Sequence, residues 1–347
     1  MKFLKHALAL LITFACLYIA FHGVDLKEAV GTMFDSGRVR ILPLVTFSGL
    51  SLGVLWVRGW RWKYFFLPEQ QATAWGLSVS NTIGFMTNNI LPLRIGEVVR
   101  ALMARRKVKA PMSYILATLF IERTLDSMCL LFCLILPLAS SRQFPPLVGE
   151  IGKGMFFVFA GALGLLIILR SKPHLAQKAA LPLGRRFLPP HAYDRLELFM
   201  ATFTEGLLIL RNGRVMLKIG ILSIFHWWLV AVSYDLAFRS FSLQEGLPWT
   251  APYLTLGLVG LGVALPSAPA FVGPVHAAII YSLNRVYDVP RVTATGFAVV
   301  MHLLMMAPVT VAGLALMWQE GLTLGQIRQR ADHLEENQPS PVEDLSG

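Results

Sequence analysis

Six apolar stretches, at residues 4–22, 39–57, 112–139, 154–170, 216–240 and 293–317, are each about long enough to cross a bilayer. Hydrocarbon about 30 Å thick takes roughly 20 helical residues, each rising about 1.5 Å. A backbone immersed in lipid must satisfy its own hydrogen bonds, so the expected fold class is an all-α polytopic membrane protein. Charged residues make up 15% of the 347-residue chain, against about 25% in soluble domains. An ordinary soluble enzyme, a disordered chain and a secreted disulfide scaffold are excluded. The first stretch follows Lys2 and Lys5 and no small-x-small site ends it, so it reads as a retained span.

The net charge of +11 sits between the apolar runs. That is the positive-inside bias of membrane proteins, and nucleic acid is not expected as a partner. Cys16, Cys129 and Cys133 lie inside apolar runs and read as small hydrophobes.

Two further apolar stretches are broken. Thr73 to Pro92 contains Gly84, Asn81, Asn88 and Asn89, and Thr250 to Leu283 contains Pro266, Pro269, Gly273 and Pro274. Lipid cannot satisfy the backbone groups such breaks release, so protein or a water-filled cavity must surround them. Each is read as a re-entrant helical hairpin, over about 73–109 and 250–284, with a pair of full crossings as the alternative. If each hairpin returns to its own side and the N-terminus is cytoplasmic, 22 of the 31 Lys and Arg residues fall on the cytoplasmic side and 8 outside. Arg58, Arg61 and Lys63 are counted there as cytoplasmic loop charges. Both termini are then cytoplasmic. Spans 39–57 and 112–139 flank the first hairpin, and spans 216–240 and 293–317 flank the second in the opposite sense. The expectation is six transmembrane helices plus two opposed hairpins in an inverted repeat, the build of secondary transporters.

Residues 1–320 form one membrane domain in this reading. Within the connection 171–214, a helix over about 192–211 carries Leu196, Phe199, Met200, Phe203, Leu207 and Leu210 at helical spacing, with Arg185, Arg186 and Arg195 nearby. It suits either an anionic membrane surface or the bundle itself. Residues 321–347 read as a polar, largely disordered cytoplasmic tail.

Three constellations carry chemistry. The first is Asn88-Asn89 followed by Arg94, Glu97 and Arg100 at the tip of the first hairpin. The three charges share about 120° of helical arc. Guanidinium groups there suit phosphate, so Arg94, Arg100, Asn88 and Asn89 are the candidate headgroup ligands. The second is Glu122, Arg123 and Asp126 within a span. Each charge there costs roughly 2.5–3.5 kcal/mol on insertion scales. Glu122 and Asp126 share a helix face and repel. A cation from elsewhere is required, and Arg94 or Arg100 is the expected source. Glu97, Glu122, Arg123 and Asp126 are candidate relay or gating groups. The third is Pro266, Ser267, Pro269, Gly273 and His276 in the second hairpin, where a broken helix offers free N–H groups. His226, His276 and His302 read as buried, satisfied histidines rather than metal ligands, and no metal or cofactor is expected. Asp235 in the fifth span is a further ion or proton carrier candidate.

The runs NNILPLRIGEVVR, IERTLD and PSAPAFVGPVHAA resemble the lysylphosphatidylglycerol synthase transmembrane-region family, over nearly all of residues 1–320. That is the flippase-like membrane portion of multiple peptide resistance factors, also found as stand-alone proteins. The chain departs at Ala270, where the family commonly has Pro-Gly, and at His276, where it often has Glu. The resemblance implies translocation of aminoacylated, other anionic or isoprenoid-linked lipids across a bacterial plasma membrane. About 30 residues follow the last span, too few for a soluble synthase domain, so aminoacyl transfer is not expected.

The leading expectation is therefore a flippase or scramblase for an anionic lipid. No nucleotide-binding motif is present. A membrane-embedded enzyme with Glu97, Glu122 or Asp126 as acid or base is the first alternative. A non-catalytic partner of an envelope-lipid or polysaccharide assembly system is the second, and such a partner or a second copy of the chain is the protein contact expected.

Overall fold

The computed structural model describes residues 2–34, 39–91, 95–140, 146–172, 189–265 and 267–326, with Leu175, Lys178, Leu181, Pro182, Arg185 and Arg186 between. The described residues build helices only. These are α1 (Lys2–Phe21), α2 (Leu26–Phe34), α3 (Ile41–Lys63), α4 (Ala74–Ile90), α5 (Gly96–Arg105) and α6 (Met112–Ser140), then α7 (Pro146–Ser171), α8 (Pro190–Gly206), α9 (Gly213–Ser240), α10 (Ala251–Ala264), α11 (Pro274–Ile280) and α12 (Arg291–Gln319). Pro92 and Arg94, Pro266, and the tail from 327 onward lie outside the described residues.

Helices α3, α9 and α12 are long and apolar enough to cross a membrane, and α1 with α2 makes a pair bent by 62°. Helix α6 carries three charged residues, Glu122, Arg123 and Asp126, near its middle. Large side chains such as Leu11, Phe14, Leu42, Trp60, Trp228 and Trp318 cover the outside. An apolar exterior on this scale belongs in lipid. The chain is an all-helical membrane protein.

Local chemistry sets the helix starts. Thr73 caps α4 by accepting from the Gly76 N–H at 3.1 Å, and Asn212 caps α9 by accepting from the Val215 N–H at 3.2 Å. Asp25 accepts from the Lys27 and Glu28 N–H groups and opens α2. Helix α2 lies between the first two apolar stretches, where none was expected: Ala29 and Met33 are buried, and α2 packs along α12. A nine-residue amphipathic run between two apolar stretches was too short to stand out by periodicity.

Helix α3 packs between α4 and α9, and α4 also packs on α5 and α12. Arms α4 and α5 are nearly in backbone contact, since a Cβ on Gly96 would collide with the Gly84 carbonyl oxygen and the Asn88 amide. Across the break the Asn88 Oδ1 accepts the Gly96 N–H at 2.8 Å. The turn after α10 (Pro269–Phe271) packs against α4. It holds Ala270 and Phe271 at φ 59° and 58°, and Gly273 follows at φ 96°, where only glycine is unstrained. One apolar core gathers Phe238, Phe297 and Leu283, and a second gathers Trp62, Phe65 and Tyr114.

The expected amphipathic helix is α8 followed by a 3₁₀ turn, Leu207–Arg211. It packs on α6, with Phe203 against Phe120 and the Leu207, Ile209 and Leu210 side chains buried. Of the two settings the sequence allowed, the described contacts are with the bundle.

Candidate functional site

Helices α3, α5, α6 and α9 bring a charged network into the interior. Its centre is Glu122 on α6, which is fully buried. Arg58 on α3 donates from Nε to Glu122 Oε1 at 2.7 Å, and its Nη2 pairs with Asp126. Arg61, one turn along α3, has Nη2 2.8 Å from Asp126 Oδ1 and 3.5 Å from Glu122 Oε1. Arg100 on α5 pairs through Nη2 with Glu122 Oε2. The Trp227 indole on α9 donates to Asp126 Oδ1 at 3.1 Å, and Arg61 Nη1 donates to the Ser223 hydroxyl at 3.1 Å.

The network extends toward the surface through Glu97. Its carboxylate pairs with Arg123 and lies 3.8 Å from Arg100 Nη1. Side-chain exposure falls from 45% at Arg123 and 36% at Glu97 to 1% at Arg100 and 0% at Glu122. The charges thus form a string, Arg123–Glu97–Arg100–Glu122–Arg58/Arg61–Asp126, running from a partly exposed end to a closed one.

The adjacent glutamate and aspartate face the repulsion expected of a shared helix face, and cations offset it. Arg100 supplies part of that, as the sequence suggested. Arg58 and Arg61 supply the rest. That corrects their assignment to a cytoplasmic loop: both lie within α3, at 5% and 0% exposure. They are the functional candidates the sequence reading missed. Two aromatic faces support the arginines, with Arg100 4.1 Å from the Trp62 ring and Arg58 5.3 Å from the Phe85 ring.

Among the described residues, three buried arginines face two buried carboxylates, with Glu97 partly exposed and paired with Arg123. Among the described residues, Arg100 Nε and Nη1 and Arg61 Nε have no hydrogen-bond acceptor. Buried donors of this kind are costly unless something accepts from them.

The remaining candidates lie elsewhere. Asn88 joins α4 to α5, and the Asn89 amide donates to the Thr310 hydroxyl on α12 at 2.9 Å, so both side chains tie helices together. Arg94 and Pro266 lie outside the described residues. In the second hairpin the Ala268 N–H donates to Thr13 on α1 at 2.8 Å, while the buried Ser267 hydroxyl has no partner among the described residues. His276 Nδ1 accepts the Gly273 N–H at 3.3 Å, and its Nε2 lies 3.3 Å from His302 Nδ1. With Nδ1 accepting from Gly273, a neutral His276 carries its proton on Nε2, on the side of His302. The pair links α11 to α12. His226 is buried beside Trp227, apart from that pair. Among the described residues no group of three His, Cys, Asp or Glu side chains is placed to hold a metal.

Fold and network together define a polytopic helical membrane protein with an arginine–carboxylate ion-pair network at its core. The chain belongs to the family described as the lysylphosphatidylglycerol synthase TM region, whose model matches residues 6–313. That membership carries a membrane-lipid-related function. No curated protein and no solved structure matches the chain.

Proposed function

We propose that this protein moves an anionic phospholipid or isoprenoid-linked lipid between membrane leaflets, as a flippase or scramblase without its own nucleotide hydrolysis. The observation that carries the reading is the buried excess of arginine over carboxylate, with donors of Arg61 and Arg100 left over. A phosphate entering past Glu97 and Arg123 meets Arg100 first. Guanidinium recognises phosphate through directed N–H bonds. Glu122 then competes for Arg100 and lets the phosphate leave. Arg58 and Arg61 hold Glu122 and Asp126 ready for that exchange.

In this reading α1, α3, α6, α7, α9 and α12 cross the membrane. Helices α4–α5 and α10–α11 are the two re-entrant hairpins of one domain, residues 1–320. The contact between α4 and the Pro269–Phe271 turn, and the Asn89 bond to α12, support hairpin tips that meet inside the bundle. Both termini lie in the cytoplasm of a bacterial cell, the side that collects most of the lysines and arginines. The chemistry is binding and release, with no catalytic residue and no cofactor.

The test is transbilayer exchange of a labelled anionic phospholipid in liposomes containing the purified protein, without ATP. Exchange faster than in protein-free liposomes supports the proposal. Exchange no faster, across several headgroups, sinks it. Chemical conversion of the lipid during the assay would favour an enzyme instead.

A further inference from the structure

A second polar site lies away from the arginine network, where the end of α9 meets the loop leading into α10. It is a cavity of about 380 Å³, with Asp235, Arg239, Gln244, Trp249 and Tyr253 among its lining residues. Ligand pockets for small molecules begin at about this size. Asp235 and Arg239 are one turn apart on α9, and Arg239 Nε donates to Asp235 Oδ2 at 2.6 Å. Both stay open, with side-chain exposures of 36% and 52%. Across from them stands Trp249, itself 68% exposed. Its ring packs edge-on to Tyr253 at 6.1 Å. The Gln244 Oε1 is a buried acceptor with no partner among the described residues.

The charges select the ligand. A simple anion meets the Asp235 carboxylate, and a simple cation meets the Arg239 guanidinium. A group carrying both signs a few ångströms apart suits both. An ammonium finds the Asp235 carboxylate, the free Gln244 oxygen and the rings of Trp249 and Tyr253 in the lining, aromatic groups that attract cations. A phosphate finds the outward N–H groups of Arg239. The apolar walls, Val232 among them, suit a glycerol backbone and the start of acyl chains. An exposed tryptophan at the end of apolar helices is the mark of a headgroup-level site.

We infer that this cavity binds the headgroup of an amine-bearing phospholipid, holding ammonium at Asp235 and Gln244 and phosphate at Arg239. It is distinct from the arginine relay, so one lipid can sit here while another occupies the path.

The experiment is native mass spectrometry of the detergent-solubilised full chain, titrated with short-chain phosphatidylethanolamine, phosphatidylglycerol or diacylglycerol, and with soluble phosphoethanolamine. The expected result is a site, counted as the binding that Asp235→Asn removes, at least about tenfold tighter for phosphatidylethanolamine than for phosphatidylglycerol. Asp235→Asn should abolish that preference, and Arg239→Gln should weaken both phospholipids toward diacylglycerol. The pair is partly exposed, and such pairs contribute little to stability, so both variants should melt like the parent. Equal loss of the two phospholipids in Asp235→Asn overturns the proposal, because binding at the arginine network is common to parent and variant. Preference surviving in Asp235→Asn also overturns it. Phosphoethanolamine binding as tightly as the lipid overturns the assignment to a lipid headgroup. Binding is read without transport, so failure here leaves the translocation reading standing, and failed exchange leaves this site standing.

Discussion

Arg58 and Glu122 meet in the interior through two contacts, Nε to Oε1 at 2.7 Å and Nη2 to Oε1 at 2.6 Å. The same guanidinium reaches Asp126, so one side chain clamps two carboxylates that would otherwise repel. Breaking a buried pair by removing one partner costs about 3–5 kcal/mol, because the other charge is stranded. Arg58→Ala should therefore lower thermal stability in detergent severely. Arg58→Lys should fall between, since an ammonium lacks the planar fork that spans two carboxylates. A melting temperature unchanged in Arg58→Ala would show that the clamp carries no stability.

Arg123 and Glu97 close the exposed end of the same string. Exposed ion pairs contribute about 0–1 kcal/mol, so Arg123→Gln should melt close to the parent. It removes a cation from the entrance, so lipid exchange should slow by more than stability falls. Loss of both in equal measure would make this pair a packing element.

Gly96 sits where its arm almost touches the other. A methyl group there would drive into the Gly84 carbonyl and the Asn88 side chain, both polar and fixed. Overpacking of this kind costs typically about 1–3 kcal/mol. Gly96→Ala should lose that much and loosen the Asn88 bond across the break. Stability equal to the parent would mean that the two arms stand further apart.

Side of exposure can be read with cysteines. Glu69, beyond the end of α3, and Glu245, beyond the end of α9, are both exposed. With the termini cytoplasmic, a cysteine at Glu245 reacts with an impermeant thiol reagent in intact cells and one at Glu69 does not. The reverse pattern would invert the orientation.

Helix positions were largely legible in the sequence, because a 20-residue apolar run leaves the backbone few choices. The breaks at Leu91 and Leu265 were legible for the same reason, as proline cannot donate to the ladder. Glu122, Asp126 and Arg100 stood out as charges in apolar surroundings. Arg58 and Arg61 did not. They sit at the end of an apolar run, beside Trp56, Trp60, Trp62 and Lys63, where basic residues usually mark a membrane surface. Their spacing of three was the available signal, since two carboxylates four apart call for two cations on one face. The roles of Asn88 and Asn89 as ties between helices depend on pairings that spacing does not reveal.

The most direct measurement is lipid exchange by the double variant Arg100→Gln, Glu122→Gln, set beside its melting temperature. One buried cation and one buried anion leave together, so the network keeps its net charge, while Arg58 and Arg61 lose Glu122 and keep Asp126. The variant should melt between the parent and Arg58→Ala. Its Arg100 donors are gone, so it should exchange labelled anionic lipid no faster than protein-free liposomes, while the parent exchanges faster. Exchange at the parent rate in a stable double variant would contradict the role of Arg100 as the phosphate ligand.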